Sequence, residues 1–122
     1  MVRKKIMICD DDSAILDVLE LMLLMDGHYV VTEINSSKLI DEINHAEPDL
    51  LLMDLWMPLL SGDQLLRIIR STKKIEHLPV IILSASLDGS QVAGKAGANG
   101  FIAKPFDMDD ISMKIHNMLL NN

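Results

Sequence analysis

Four short apolar runs in this sequence end in side chains that carry chemistry. Asp10, Asp11 and Asp12 follow Ile6-Met7-Ile8-Cys9, and Asp54 follows Leu50-Leu51-Leu52-Met53. Ser84 follows Val80-Ile81-Ile82-Leu83, and Lys104 follows Phe101-Ile102-Ala103. Gathered into one site, the carboxylates of Asp10, Asp11 and Asp54 with the Lys104 ammonium carry a net charge of −2. Uncompensated, such carboxylates repel one another. A divalent cation brings the cluster to neutrality. An all-oxygen donor set favours magnesium, which keeps several waters and takes one or two carboxylates together with phosphate oxygens. Calcium fits less well, because the glycine of an Asp-x-Asp-x-Asp-Gly loop is missing after Asp12. Asp12 itself reads as a helix cap.

Bringing these residues together requires a particular order of elements. The apolar runs 6–9, 29–32, 50–53, 80–83 and 101–103 suit strands buried on both faces, as in a parallel sheet. Helical periodicity lies between them. Window 13–26 places Ile15, Leu19 and Met22 on one stripe, opens at Asp12 or Ser13 and stops at Gly27. Window 36–45 carries Leu39, Ile40 and Ile43; window 63–71 turns Leu65, Ile68 and Ile69 inward and Arg67 and Arg70 outward. A weak, glycine-interrupted helix is expected over 90–96. The last helix starts near Asp107, with Ile111, Ile115 and Met118 on one stripe and Asp107, Asp109 and Asp110 complementing its dipole.

Strands alternating with helices predict an α/β fold with right-handed crossovers and helices on both faces of the sheet. The expectation is a flavodoxin-like three-layer sandwich over 1–122, with five parallel strands in the order 2-1-3-4-5 and five helices. In that order strands 1, 3, 4 and 5 are neighbours, spaced by about 4.8 Å. Asp10, Asp11, Asp54 and Ser84 then share one sheet edge, and Lys104 can reach in from two strands away. Ligands of such sheets bind at this carboxyl edge, beside the switch point between strands 1 and 3.

Composition narrows the function. With 49% hydrophobic residues the chain can build a core, and with 3% aromatics it offers little surface for stacking bases. A net charge of −7 argues against direct nucleic-acid contact and against a membrane footprint. One cysteine excludes an internal disulfide or a cysteine zinc cluster, and Cys9, inside an apolar run, reads as a buried, inert thiol. No apolar run reaches the roughly 18 residues of a membrane span, and no signal-peptide core follows Met-Val-Arg-Lys-Lys. A reducing, cytoplasmic setting is expected. His28, His45, His77 and His116 are scattered and read as surface or rim residues.

The joint spacing resembles the receiver domain of two-component response regulators, single-domain type. The resemblance is carried by Asp10-Asp11, by Asp54 followed by Met57-Pro58 and Gly62, by Ser84-Ala85 and by Lys104-Pro105-Phe106, and it covers essentially the whole chain. It implies a phosphoacceptor signalling module of a phosphorelay, not an enzyme with a free substrate. By that likeness Asp54 accepts a phosphoryl group from a histidine kinase or phosphotransfer protein. Asp11 and Asp54 bind magnesium directly, with the backbone carbonyl of Trp56, and Asp10 acts through a water. Ser84 and Lys104 hold the phosphoryl group, and Ser84 with Phe101 forms the switch. A downstream protein or dimer mate reads the face made by the fourth helix, fifth strand and last helix. The likeness also implies a cis Lys104-Pro105 peptide.

Other chemistries fit less well. A haloacid-dehalogenase-type phosphatase wants a second Asp two residues past the nucleophile as general acid, and Trp56 stands there. A flavin-binding flavodoxin wants a Ser/Thr/Gly phosphate cradle where this chain has three Asp. A degenerate receiver would lack a site residue, and none is missing. Three expectations remain. Trp56 and Ser86, two residues past Asp54 and Ser84, govern phosphoryl lifetime at the mouth of the site, or Trp56 instead turns outward as part of a partner surface. The segment between the fourth and fifth strands, with a helical window only over 90–96, is the mobile part of the output face, because its core anchors are few (Leu87, Val92, Ala93) and Gly94 costs about 1 kcal/mol relative to Ala. The last helix ends near Leu120; if the natural chain stops there, output passes through partner binding, and if it belongs to a longer protein, a DNA-binding or enzymatic effector carries it.

Overall fold

Residues 3–120 are described in a computed structural model of the chain. Met1, Val2, Asn121 and Asn122, part of the expected unit 1–122, lie outside the described residues. The elements alternate as β1 (Lys5–Cys9), α1 (Ser13–Met25), β2 (Tyr29–Glu33), a 3₁₀ turn (Ser36–Lys38) running into α2 (Leu39–Ala46), β3 (Leu50–Asp54), α3 (Gly62–Arg70), β4 (Val80–Ser84), α4 (Gly89–Ala96), β5 (Gly100–Ala103) and α5 (Met108–Leu120). The five strands form one parallel sheet in the order β2-β1-β3-β4-β5. This is the flavodoxin-like arrangement that the strand–helix alternation predicts.

Successive strand side chains point to opposite faces, and the two faces make two cores. Ile6, Ile8, Leu50, Leu52, Ile81 and Leu83 pack with Leu16, Leu19 and Leu23 of α1 and Ile111 and Ile115 of α5. Met7, Cys9, Leu51, Met53 and Ile82 pack with Leu39 and Ile43 of α2, Leu65, Leu66 and Ile69 of α3, and Ala93 and Ala96 of α4. All five residues of β3 and of β4 are buried. Each fully buried aliphatic side chain stabilises the fold by about 1.5–3 kcal/mol relative to exposure. Burial on both faces fails at the sheet edges: β2 leaves Tyr29 exposed, and β5 is only partly covered.

Several inward faces differ from the periodic reading. In α1 the buried residues are Leu16, Leu19, Met22 and Leu23, with Ile15 only half-buried. That helix is apolar on nearly every side, so periodicity cannot select the face that packs. In α3 the inward set is Gly62, Leu65, Leu66 and Ile69, the i, i+3, i+4, i+7 pattern. Ile68 lies at its margin and is 40% exposed. Arg70 does not point to solvent. It is half-buried and donates to the carbonyls of Gly97, Glu76 and Leu78 at 3.0, 3.0 and 2.7 Å and to Asn99 Oδ1 at 2.7 Å. Those loop carbonyls need donors, and a guanidinium supplies several at once. In α5 Leu119 takes the inward place and Met118 is half-buried. Leu87, expected to anchor α4, is fully exposed. The anchors are Gly89, Ala93 and Ala96.

Candidate functional site

The carboxyl edge of the sheet is built strand by strand. Just past β1, the Asp10 carboxylate is 1% exposed; its Oδ1 accepts from Asp12 N–H at 2.9 Å. Asp12 in turn caps α1, its Oδ1 accepting from Ala14 and Ile15 N–H at 2.9 and 3.4 Å. Asp11 between them is exposed. The acidic run is therefore divided by the local turn: one carboxylate in, one out, one spent on the helix.

Asp54 ends β3 with 7% of its surface exposed. The loop after it is pinned at several points. Gly62 N–H donates to Leu55 O at 2.6 Å, and a methyl at Gly62 would sit 2.5 Å from the carbonyl oxygen of Asp54. Only glycine lets α3 start this close to the backbone of the acidic residue. Ser36 Oγ, at the start of the 3₁₀ turn, donates to Pro58 O at 2.6 Å and accepts from Leu60 N–H at 3.3 Å. Leu59 between them takes a left-handed backbone, φ +73°, with its side chain exposed. The Trp56 indole is half exposed on this loop.

Ser84 ends β4, almost fully buried, and its Oγ accepts from Ser86 N–H at 3.0 Å. Its carbonyl accepts from Lys104 N–H at 2.9 Å. From the end of β5, Lys104 Nζ reaches past β4 to donate to Asp54 Oδ1 at 2.8 Å and Asp10 Oδ2 at 3.1 Å. The Lys104-Pro105 peptide is cis. Asp10, Asp11 and Asp54 each offer a carboxylate oxygen within 4.8 Å of the others'.

The charges are out of balance. Burial pushes the Asp54 carboxyl above the usual carboxylate range, against the pull of its Lys104 hydrogen bond. Burial raises Asp10 likewise, although Asp12 N–H and Lys104 favour its ionised form. Burial alone would lower Lys104, but its bonds to Asp54 and Asp10 prevail and hold it above the ordinary lysine value. One ammonium therefore does not compensate the buried carboxylates. A hard cation held by Asp10, Asp11 and Asp54 would answer the remaining charge, and the all-oxygen donor set would suit magnesium. Cys9, beneath the site, is buried with its thiol pushed up to about 12, first by burial and then by nearby acids. It is inert at neutral pH.

The structure thus gathers Asp10, Asp11, Asp54, Ser84 and Lys104 on one edge, and places Trp56 on the adjoining loop. Phe101 lies one layer behind, half-buried, its ring against Gly89 and the Met7/Cys9/Met53 core. Sequence reasoning passed over Ser36 and Gly89. Ser36-Ser37 looks like an ordinary helix start, and Gly89 like loop punctuation. His45, His77 and His116 are exposed and His28 is half-buried, as surface or rim residues should be.

Comparison with known proteins shows the family. The family described as response regulator receiver domain matches residues 6–116. The chain belongs to that family. Among relatives, the DNA-binding transcriptional regulator NtrC of Proteus hauseri is 35% identical over 112 residues, which are 90% of this chain and 23% of that protein. A response regulator receiver domain protein from Clostridium thermocellum superposes with a TM-score of 0.87 at 34% identity, covering 96% of this chain and 94% of the other. The chemotaxis response regulator CheY4 of Vibrio cholerae superposes with a TM-score of 0.88, covering 95% and 98%, and at 20% identity that likeness speaks to the fold. The chain spans about half or less of the length of the curated relatives first matched. As a receiver, it is a signalling module of the phosphoacceptor class, and nothing supports the phosphatase alternative. Among the described residues no helix is long and apolar enough to cross a membrane.

Proposed function

We propose that Asp54 is the phosphoacceptor of this receiver and that Lys104, Ser84, Asp10 and Asp11 are its working partners. The observation that carries this reading is the Lys104 ammonium bridging Asp54 and Asp10 inside a cluster of three carboxylates. A carboxylate oxygen of Asp54 forms a bond to the phosphorus of a phosphohistidine on a histidine kinase or phosphotransfer protein. The phosphorus–nitrogen bond breaks, and the imidazole leaves with its electron pair and takes up a proton. Asp11, Asp54 and the backbone carbonyl of Trp56 would hold magnesium, with Asp10 acting through a water. The ion supplies positive charge against the phosphoryl oxygens. Lys104 keeps Asp54 oriented and remains beside the oxygens where charge spreads during transfer. Ser84, at the end of the neighbouring strand, would turn from Ser86 to donate its hydroxyl to the phosphoryl group.

Acyl phosphate formation changes Asp54 from one negative charge to nearly two. That extra charge favours Ser84 and Lys104 moving inward, which alters the face of α4, β5 and α5 that a downstream protein or dimer mate reads. Output then passes through partner binding in a cytoplasmic setting rather than through turnover of a free substrate. Trp56, half exposed on the loop beside the acceptor, and Ser86, bonded to Asp88 Oδ1 at 2.6 Å, govern access of water and hence phosphoryl lifetime.

The test is labelling with acetyl phosphate or phosphoramidate, read by intact mass. Wild type gains one phosphoryl group when magnesium is present and none after chelation. Asp54→Ala abolishes the gain. Labelling of that variant at the wild-type rate would remove the assignment.

A further inference from the structure

The loop after β4 turns back on its own origin. Ser84 closes the strand, and Gly89, buried, opens α4 with its N–H donating to Ser86 O at 3.2 Å. Backbone conformation does not demand glycine here, since the positive-φ glycines are Gly27 and Gly97. Space does. A methyl at Gly89 would sit 2.9 Å from Ser84 Cβ and 3.0 Å from both Cε1 and Cζ of Phe101. Gly94, in the same helix, has nothing within 4 Å of the equivalent position. The missing side chain of Gly89 is thus where the hydroxyl-bearing end of β4, the first residue of α4 and the tip of the Phe101 ring meet.

Resting on the phosphoacceptor reading, we propose that Gly89 is a positioning residue of the switch, the contact through which displacement of Ser84 reaches Phe101 and the start of α4. Ser84 Oγ now accepts from Ser86 N–H. To donate to a phosphoryl oxygen on Asp54 it must move toward β3. That movement vacates volume beside Gly89, and packed interiors do not leave such a gap. Gly89 has no side chain to fill it. The Phe101 ring and the α4 backbone close in instead, and the ring, having no hydroxyl, does so without burying an unpaired donor. A methyl at position 89 fills the volume beforehand: it displaces Ser84 in the resting protein and uncouples α4 in the activated one.

The experiment compares wild type, Gly89→Ala, Phe101→Leu, the double variant and Gly94→Ala. Labelling of Gly89→Ala by phosphoramidate is expected to slow on the order of tenfold, the kinetic equivalent of one extra methyl in a packed site. Gly94→Ala, whose methyl enters open space, labels as wild type does. In unphosphorylated, magnesium-loaded protein, the amide resonances of Ser86 and Lys104, both bonded to Ser84, shift in Gly89→Ala. They return in Gly89→Ala/Phe101→Leu, where the trimmed ring lets the new methyl lean away from Ser84, and labelling recovers with them. Fluoroberyllate moves the amides over 89–96 in wild type and moves them less in Gly89→Ala and in Phe101→Leu. Wild-type labelling with an intact α4 response in Gly89→Ala, or no recovery in the double variant, overturns the proposal. Should Gly89→Ala fail to fold, an undiminished α4 response in Phe101→Leu overturns it. If Asp54→Ala labels like wild type, the phosphoacceptor reading falls instead, and the Ser86 and Lys104 amides still decide the Gly89 contact.

Discussion

Helices α3 and α4 pack side by side on one face of the sheet and are held there by opposite means. The entry to α3 is tied down: Ser61 N–H donates to Gln64 Oε1 at 3.0 Å, and Ser61 Oγ donates to Asp63 Oδ1 at 2.6 Å. Its inward residues Leu65, Leu66 and Ile69 are completely buried. At the entry to α4, Asp88 makes no side-chain capping bond, and the buried residues are Gly89, Ala93 and Ala96. One helix is anchored by volume inserted into the core, the other by the lack of volume that lets backbone approach backbone. Interlocked side chains resist sliding, whereas a smooth face of small residues gives up little dispersion when it shifts by a fraction of an ångström. The pair is therefore expected to combine a fixed wall with one that shifts more easily, and the second helix starts beside Ser84.

The largest effect that separates the two is truncation. Leu65→Ala in α3 should cost about 2–5 kcal/mol in urea unfolding, through lost burial and the cavity left behind. Ala93→Gly in α4 should cost about 1 kcal/mol, mostly backbone entropy. Equal losses would break the contrast. Next comes the tie between the helices. Arg70 leaves the end of α3 to hold Gly97 O just past α4, together with Glu76 O, Leu78 O and Asn99 Oδ1. Arg70→Ala should cost about 2 kcal/mol, since several charge-assisted hydrogen bonds go at once. Amide exchange over 89–96 should quicken more than over 62–70; uniform quickening would show that the two helices open as one. The smallest effect has the opposite sign. Gly94→Ala adds a methyl in open space, so it should stabilise α4 by up to about 1 kcal/mol and slow exchange over 89–96 about fivefold. Exchange unchanged there would mean that α4 opens only with the whole domain.

The same contrast explains what could be read from the sequence. Asp10, Asp11, Asp54, Ser84 and Lys104 were legible because each follows an apolar strand, and parallel topology sends all strand ends to one edge. The acidic loop, the magnesium-type donor set and the strand order follow from residue type and spacing alone. The face of α3 was nearly legible, since Gln64 and Arg67 mark the outside; Leu66 and Ile68 change places, and Arg70 turns to the loop carbonyls. The face of α1 was not, because apolar residues surround it. The anchoring of α4 was illegible for a different reason. A close approach belongs to residues 84, 89 and 101 together, and glycine carries no pattern that points to its neighbours. Leu87, the largest apolar residue of the loop before α4, reads as an anchor in the sequence and is fully exposed.

The bridge from Lys104 to Asp10 and Asp54 also has a consequence for the order in which the site can come into being. The ammonium lies 94 residues after one carboxylate and 50 after the other. As the chain is synthesised, Asp10, Asp11 and Asp54 emerge early, while the lysine that pairs with Asp10 and Asp54 arrives after nearly everything else. A nascent chain that has completed β4 carries the acidic edge without its counter-charge and with β4 as an open sheet edge. Adding β5 covers that edge and delivers the ammonium in one step, so the cluster gains its counter-charge only when the sheet is complete. The proposed site is thereby tied to a sheet that is complete from β1 to β5.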